Sequence, residues 1–268
     1  MSPDIDELLF SQDGAVATIT LNRPELHNAW TPGMTAGLET LVRHCAADAS
    51  VRVIVIAGAG RSFCAGADMA VLKAVQQSGR NPLAPAARSD EDFGQRYSFL
   101  LGVPKTIICA LNGPAVGIGA VLALFCDLRW AAPQARLGAM FVRRGLVAEH
   151  GLAWLLPRQI GVSRALDLLL SGRMVGADEA ERIGLVHALL PEDGFHAEVA
   201  RRAAELASSV SPRSAGIIKR QVYQGLLQTL AQSVNAAYDE VPGCIASEDF
   251  REGVRHFVEK RAPRFTGR

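Results

Sequence analysis

The chain reads as an α/β protein with a helical end, and three observations carry that expectation. Apolar, β-branched runs at residues 51–57 and 106–111 have the length and composition of buried strands and alternate with helical patterns. Two turns built from small residues, 64–68 and 112–119, each lead out of an apolar run and into a helix. From residue 163 onward nearly every segment carries an apolar stripe at helical spacing. Strand, turn and helix in succession imply sequential, mostly parallel strand pairing.

Taken in order, residues 15–22 alternate apolar and polar as a strand, stopped by Arg23-Pro24. Thr31-Pro32 has the form of an N-cap followed by proline at the first helical position, opening a helix to residue 47. Residues 51–57 are the second strand, ended by Gly58-Ala59-Gly60. A helix is expected over 69–77, with Asp68 as its cap. Residues 78–92, rich in Gly, Asn, Pro, Ser and Arg, suggest a mobile loop. A helix over 92–102, a strand over 106–111 and a buried helix over 117–126 follow. Helices are then expected at 163–171, 177–183, 193–209, 211–227, 230–240 and 247–260, with one strand at 185–190. The natural partition is an α/β core over 1–200 and a helical region over 201–268.

Composition narrows the function classes. Lys+Arg of 28 against Asp+Glu of 27 leaves a net charge of +1, so no overall field invites nucleic acid or an anionic membrane. A hydrophobic fraction of 49% with 21% charged residues is that of an ordinary globular protein. Cys45, Cys64, Cys109, Cys126 and Cys244 are scattered and show no C-x-x-C spacing, which argues against zinc and a disulfide framework and for reduced thiols in a cytoplasm. No secretory signal is visible in the acidic first residues. The uncharged stretch between Lys105 and Asp127 imitates a membrane span, but Asn112-Gly113-Pro114 interrupts it, so a buried strand, turn and helix explain it better. His27, His44, His187, His196 and His256 have no metal-like spacing, and no metal is expected.

The two small-residue turns point to chemistry. Small side chains leave backbone N–H groups bare, so the groups can point at a ligand oxygen. Two such turns facing each other supply a pair of donors for a carbonyl that becomes an oxyanion, most plausibly that of a thioester. The bland alternative is that glycine and alanine there only permit tight helix–strand packing.

The ordered set Leu21-Asn22-Arg23-Pro24, Asn28-Ala29, Phe63-Cys64-Ala65-Gly66-Ala67-Asp68, Asn112-Gly113-Pro114-Ala115-Val116-Gly117-Ile118-Gly119 and Cys126-Asp127 resembles the crotonase (enoyl-CoA hydratase/isomerase) superfamily. Gly145-Leu146, Leu156-Pro157-Arg158, Gly161 and residues 165–172 continue the likeness, which covers nearly the whole chain. The resemblance implies a crotonase-like spiral of ββα units with a helical C-terminal oligomerisation region, a homotrimer or a hexamer built as a dimer of trimers, and an acyl-CoA thioester as substrate. Coenzyme A is then part of the substrate, and no separate cofactor is implied. The family's two oxyanion amides map onto Ala67 and Ile118, and its substrate-binding backbone onto Ala29, Ala65, Asp68, Met69 and Ala70. The Ile118 amide falls in the first turn of a predicted helix, where free N–H groups and the dipole favour negative charge. The family usually has glycine at that position; the isoleucine keeps the amide and adds a side chain that narrows the acyl pocket.

The hydratases of this family use two carboxylates, whose positions fall here on Val121 and Phe141, both counted among the substrate-binding positions. Neither can transfer a proton, so an ordinary hydratase pair is absent. Glu149 stands where dienoyl-CoA isomerases and the chlorobenzoyl-CoA dehalogenase carry a catalytic aspartate. A lone carboxylate there can take the proton α to the thioester and return it elsewhere, or activate a water. Burial beside Val121, Phe141 and Trp154 is expected to raise its pKa. The competing reading has Glu149 capping the helix that begins near Gly151, or pairing with Arg143 or Arg144. His150 reads as a structural histidine, because neighbouring side chains diverge unless the turn is tight. The expected function is an acyl-CoA-processing enzyme with Ala67 and Ile118 as donors and Glu149 as proton carrier. The alternative is an acyl-CoA carrier or regulator that has lost its chemistry.

Overall fold

The computed structural model describes residues 6–79 and 89–268. A six-stranded sheet organises the chain. Its strands are β1 (Leu8–Asp13), β2 (Val16–Leu21), β3 (Val53–Gly58), β4 (Thr106–Leu111), β6 (Leu128–Ala131) and β9 (Ala188–Leu189), in the order β1-β2-β3-β4-β6-β9. Only the β1–β2 hairpin is antiparallel; the other pairs are parallel. β5 (Ala115–Val116), β7 (Arg136–Gly138) and β8 (Val175–Gly176) form a second, three-stranded sheet in the order β5-β7-β8. Together with the connecting helices this is the α/β spiral expected from the sequence.

Every residue of β3 is buried, because both faces of the sheet are covered. Val53, Val55 and Ala57 face one layer with Ile108, Ala110 and Trp130, packed by Phe195, Val199, Ala203 and Ala207 of α8 (Phe195–Ser209). Ile54 and Ile56 face the other, with Ile19, Leu21 and Ile107, against Met34, Leu38 and Leu41 of α1 (Pro32–Ala47). The capping expected for α1 is present: the Thr31 hydroxyl accepts from the Met34 amide, and Pro32 opens the helix. The 200/201 division falls inside α8, whose apolar side belongs to the sheet.

α2 (Met69–Ser78) and α4 (Ile118–Phe125) follow the two turns as expected. Residues 80–88, most of the segment expected as a loop, lie outside the described residues. The helix expected over 92–102 is shorter: α3 covers only Phe99–Gly102. Ser98 explains the difference, since its hydroxyl accepts from the Gln95 amide and donates to the Asp92 carbonyl, offering the backbone a turn in place of a helix. α5 (Leu152–Ile160), α6 (Val162–Ser171) and α7 (Ala177–Arg182) lead to β9 and α8.

α9 (Pro212–Gly225), α10 (Leu230–Ile245) and α11 (Glu248–Glu259) complete the chain. Lys219 of α9 anchors this region from beneath the sheet, donating to the Leu100 and Lys105 carbonyls and pairing with Asp127 at 2.8 Å. The outer faces of these helices leave large apolar groups in solvent, among them Leu230 (82% exposed), Phe257 (80%) and Tyr238 (70%). Among the described residues no helix is long and apolar enough to cross a membrane.

Candidate active site

Two buried asparagines shape the first turn. The Asn28 amide group donates to the Ala59 and Ser62 carbonyls, and that of Asn112 to the Gly60 carbonyl. The chain leaving β3 is thereby held without water. The second turn is tied to the first by a short ladder: the Phe63 and Cys64 amides donate to the Pro114 carbonyl, and the Val116 amide donates to the Cys64 carbonyl at 2.8 Å. The pairing leaves one amide unused on each side. Trp30 donates to the Gly66 carbonyl and accepts from the Asp68 amide, so Ala67, between them, turns its own N–H away. Gly117 donates to the Gly138 carbonyl, and Ile118 opens α4 with its N–H free. Among the described residues neither the Ala67 nor the Ile118 amide has a protein acceptor.

Ala67, Gly117 and Ile118 line one cleft. α2 contributes Val71, Leu72 and Val75, and the segment after β7 contributes Phe141, Arg144, Leu146, Glu149 and His150. Ile118 is 5% exposed and lines the cleft.

The remaining sequence-selected positions lie around this cleft or behind it. Asp68 caps α2 through the Ala70 amide at 2.8 Å and pairs with Arg23 at 2.9 Å; these contacts hold its carboxyl below the usual range. Arg23 also donates to the Ala29 carbonyl, so Ala29 helps fix the turn from outside the cleft wall. The Ala65 amide is spent on the His27 carbonyl. Met69 and Ala70 are exposed at the start of α2. Val121 is fully buried in the core and is not part of the cleft wall, whereas Phe141 is.

Glu149 lines the cleft, and burial raises its pKa. It caps no helix: Gly151 is the N-cap of α5 and makes no side-chain cap bond, although the Glu149 carbonyl accepts from the Leu152 amide. Among the described residues neither Arg143 nor Arg144 forms an ion pair with it. A titratable neighbour is His150, with Nε2 3.7 Å from Oε2. The divergence expected of adjacent side chains is undone by the backbone. His150 at φ 59° and Gly151 at φ 78° are two successive left-handed residues, and the tight turn brings the imidazole round to the carboxylate. The ring is packed edge-on against Tyr97, centroids 5.1 Å apart, and burial, helped by Arg96, pushes its pKa down to about 4. Sequence reasoning took His150 as structural and Arg144 only as a possible partner of Glu149, and passed over Tyr97; the signal at 150 was a histidine directly before a glycine at a predicted helix start.

A cleft lined by Ala67 and Ile118, whose amides are free, and by Glu149 lies within this spiral, and comparison with known proteins defines the class. The sequence profile of the enoyl-CoA hydratase/isomerase family matches residues 11–268, and the chain belongs to that family. It is 37% identical over 254 residues to a probable enoyl-CoA hydratase of Rhodobacter capsulatus, covering 94% of this chain and 95% of that protein. It is 33% identical over 265 residues to the 1,2-epoxyphenylacetyl-CoA isomerase of Escherichia coli K12, covering 97% and 98%. Among solved structures, the enoyl-CoA hydratase subunit I of Geobacillus kaustophilus HTA426 superposes with a TM-score of 0.85 at 33% identity, covering 98% of each chain.

Proposed function

We propose that this member of the enoyl-CoA hydratase/isomerase family, an acyl-CoA-processing enzyme, moves a proton along the acyl chain of an enoyl-CoA thioester with Glu149 as its general base. The observation that carries the reading is the cleft itself: among its described lining residues Glu149 is the one carboxylate, and it shares the cleft with two residues whose amides have no acceptor. The thioester oxygen accepts from the Ala67 and Ile118 N–H groups. Ionised Glu149 takes the proton from the α or γ carbon, and the electron pair moves into the carbonyl as an enolate. The two amides stabilise the developing oxyanion; one such donor is worth about 3–4 kcal/mol in the transition state. Protonated Glu149 then returns the proton to the other end of the allylic unit, and the double bond has moved. No cofactor enters, coenzyme A being part of the substrate.

Hydration is the second reading, favoured by the relatives named as hydratases. Glu149 would then activate a water for attack at the β carbon. A mass-spectrometric screen of 2-enoyl, 3-enoyl, dienoyl and saturated acyl-CoA thioesters, run in deuterated water with wild type and Glu149→Gln, separates the two. Isomerisation gives deuterium exchange without mass gain from water, and hydration adds water. Binding without turnover of any thioester would instead leave an acyl-CoA carrier.

We further propose a homotrimer, or a hexamer of two trimers, supported by the apolar outer faces of α9, α10 and α11. A cytoplasmic location fits five cysteines that are all free thiols.

A further inference from the structure

The segment that delivers Glu149 is built with a second functional group in it. Residues 150 and 151 are both left-handed, at φ 59° and 78°, and only the first has a side chain to place. A left-handed histidine is uncommon and is kept where the surroundings hold it. Here the ring is held edge-on to Tyr97 at 5.1 Å and an interplanar angle of 86°. Tyr97 is itself 2% exposed and packs edge-on against Trp30 at 6.4 Å, the residue that clamps the Ala67 turn on both sides. Tyr97 thus stands between the imidazole and the residue that clamps the oxyanion turn, and the imidazole between Tyr97 and the base. Its side chain is 14% exposed against 31% for Glu149, and its Nε2 faces Oε2 at 3.7 Å. That separation is just outside hydrogen-bond reach, and a small rotation of the carboxylate closes it.

We propose that His150 is a positioning residue for Glu149: its Nε2–H donates to the carboxylate, fixing the rotamer that faces the cleft and favouring the ionised form. The proposal rests on the reading of Glu149 as the base. A neutral imidazole is the form suited to this work, since it offers one N–H and adds no net charge that would quench the base. Burial of the ring favours that form. Glu149 is then subject to two opposed effects, with desolvation raising its pKa and the imidazole N–H lowering it. The other charged or titratable groups around the pair are Arg96 and Tyr97, from the segment before α3, and Arg144, from the segment after β7 that also carries the pair; α2 lines the same cleft with Val71, Leu72 and Val75.

The test compares wild type with His150→Phe, which preserves the ring and its contact with Tyr97, and His150→Gln, which restores an N–H donor that cannot titrate near neutrality. The Glu149 carboxyl is titrated directly by carbon-detected NMR on selectively labelled free protein, alongside the pH profile of kcat/KM. The Phe variant is expected to raise the Glu149 pKa by about one unit, moving the acid limb with it, and the Gln variant to bring both back toward wild type. Where His150 serves packing alone, the Phe variant leaves the Glu149 titration in place, and that result overturns the proposal. Should the Phe variant not fold, an unmoved Glu149 titration in His150→Ala overturns it equally. Turnover of Glu149→Gln, measured in parallel, judges the base assignment separately, because the carboxyl titration does not depend on activity.

Discussion

Gly117 stands back to back with Gly66: a Cβ at position 117 would lie 4.0 Å from the Gly66 Cα, and one at 66 would lie 3.0 Å from the Val116 carbonyl oxygen. Ala67 and Ile118 each follow one of these glycines, so the closeness of the two backbones sets the spacing of the two free amides. A side chain at Gly66 would press on the Val116 carbonyl and separate the amides, whereas one at Gly117 would meet only ordinary contact.

Substitutions at the second turn should divide strain from crowding. Gly117 has φ 54° and ψ −115°, a conformation nearly closed to L-residues, yet with open space around the missing Cβ. Gly117→Ala should cost about 1–3 kcal/mol through backbone strain. Gly119 has ordinary helical geometry, but a Cβ there would lie 2.5 Å from the Cys64 carbonyl oxygen and 2.7 Å from its Cβ. Gly119→Ala should therefore cost about 1–3 kcal/mol through overpacking and push the two turns apart. Urea denaturation reads the stability, and both variants should lose more kcat than acyl-CoA affinity. Wild-type kcat in either would contradict the geometry described for the donors.

Glu149 makes a paired prediction on activity and stability. Glu149→Gln should lower kcat on the true substrate by about 100-fold or more with acyl-CoA binding retained, the usual loss for a general base. Because burial raises the Glu149 pKa, the rate should fall with decreasing pH through a limb above the normal carboxylate range. The sign for stability is opposite. A carboxyl whose folded pKa is raised contributes stability below its unfolded pKa and loses it as pH rises through the folded value. At neutral pH the ionised group is thus a burden on the fold, and Glu149→Gln should be at least as stable as wild type. Chemical denaturation at pH 5 and pH 8 checks this, and a variant less stable at pH 8 would refute it.

The core and the turns were legible in the sequence because their residues do one job each. β3 and β4 are continuous apolar runs of strand length, Thr31-Pro32 has one capping use, and the Gly66 and Gly117 turns permit few backbones. β1, β5, β7 and β8 were not legible. β5 and β8 have two residues each and β7 three, too few to show alternation, and β1 ends in Ser-Gln-Asp with one face in solvent. At the site, Ala67, Ile118, Phe141 and Glu149 line one cleft as a sequence reading suggests, while Val121 turns into the core. The approach of His150 to Glu149 was not legible, because its direction depends on two left-handed residues in succession, the tight turn that adjacent-residue reasoning names only as the exception.

The apolar faces of the last three helices predict assembly. Phe257 and Val258 on α11, with Leu230 and Tyr238 on α10, are each 70% exposed or more in the single chain. Large apolar groups left in solvent in this way are what a subunit interface would cover. Light scattering coupled to gel filtration should give a mass three or six times that of the chain. Phe257→Asp and Leu230→Asp should lower it, and a monomeric wild type would rule out the assembly proposed.

Asp127 and Lys219 test how the helical end is tied to the core. Their ion pair spans 2.8 Å with side chains only 13% and 8% exposed, and Asp127 also accepts from the Tyr223 hydroxyl and the Ile107 amide. Burial pushes the Asp127 carboxyl up and the Lys219 ammonium down, each opposed by the other's charge. Removing one partner strands the second in a dry site. Lys219→Met should then destabilise by about 3–5 kcal/mol. The double variant Asp127→Asn with Lys219→Met should recover part of that loss, because no uncompensated charge remains. Urea denaturation at fixed protein concentration measures both, the concentration being held because the assembly proposed above would contribute to apparent stability. A double variant as unstable as the sum of its singles would mean that the two groups do not act as a pair, and that α9 is held by its carbonyl contacts alone.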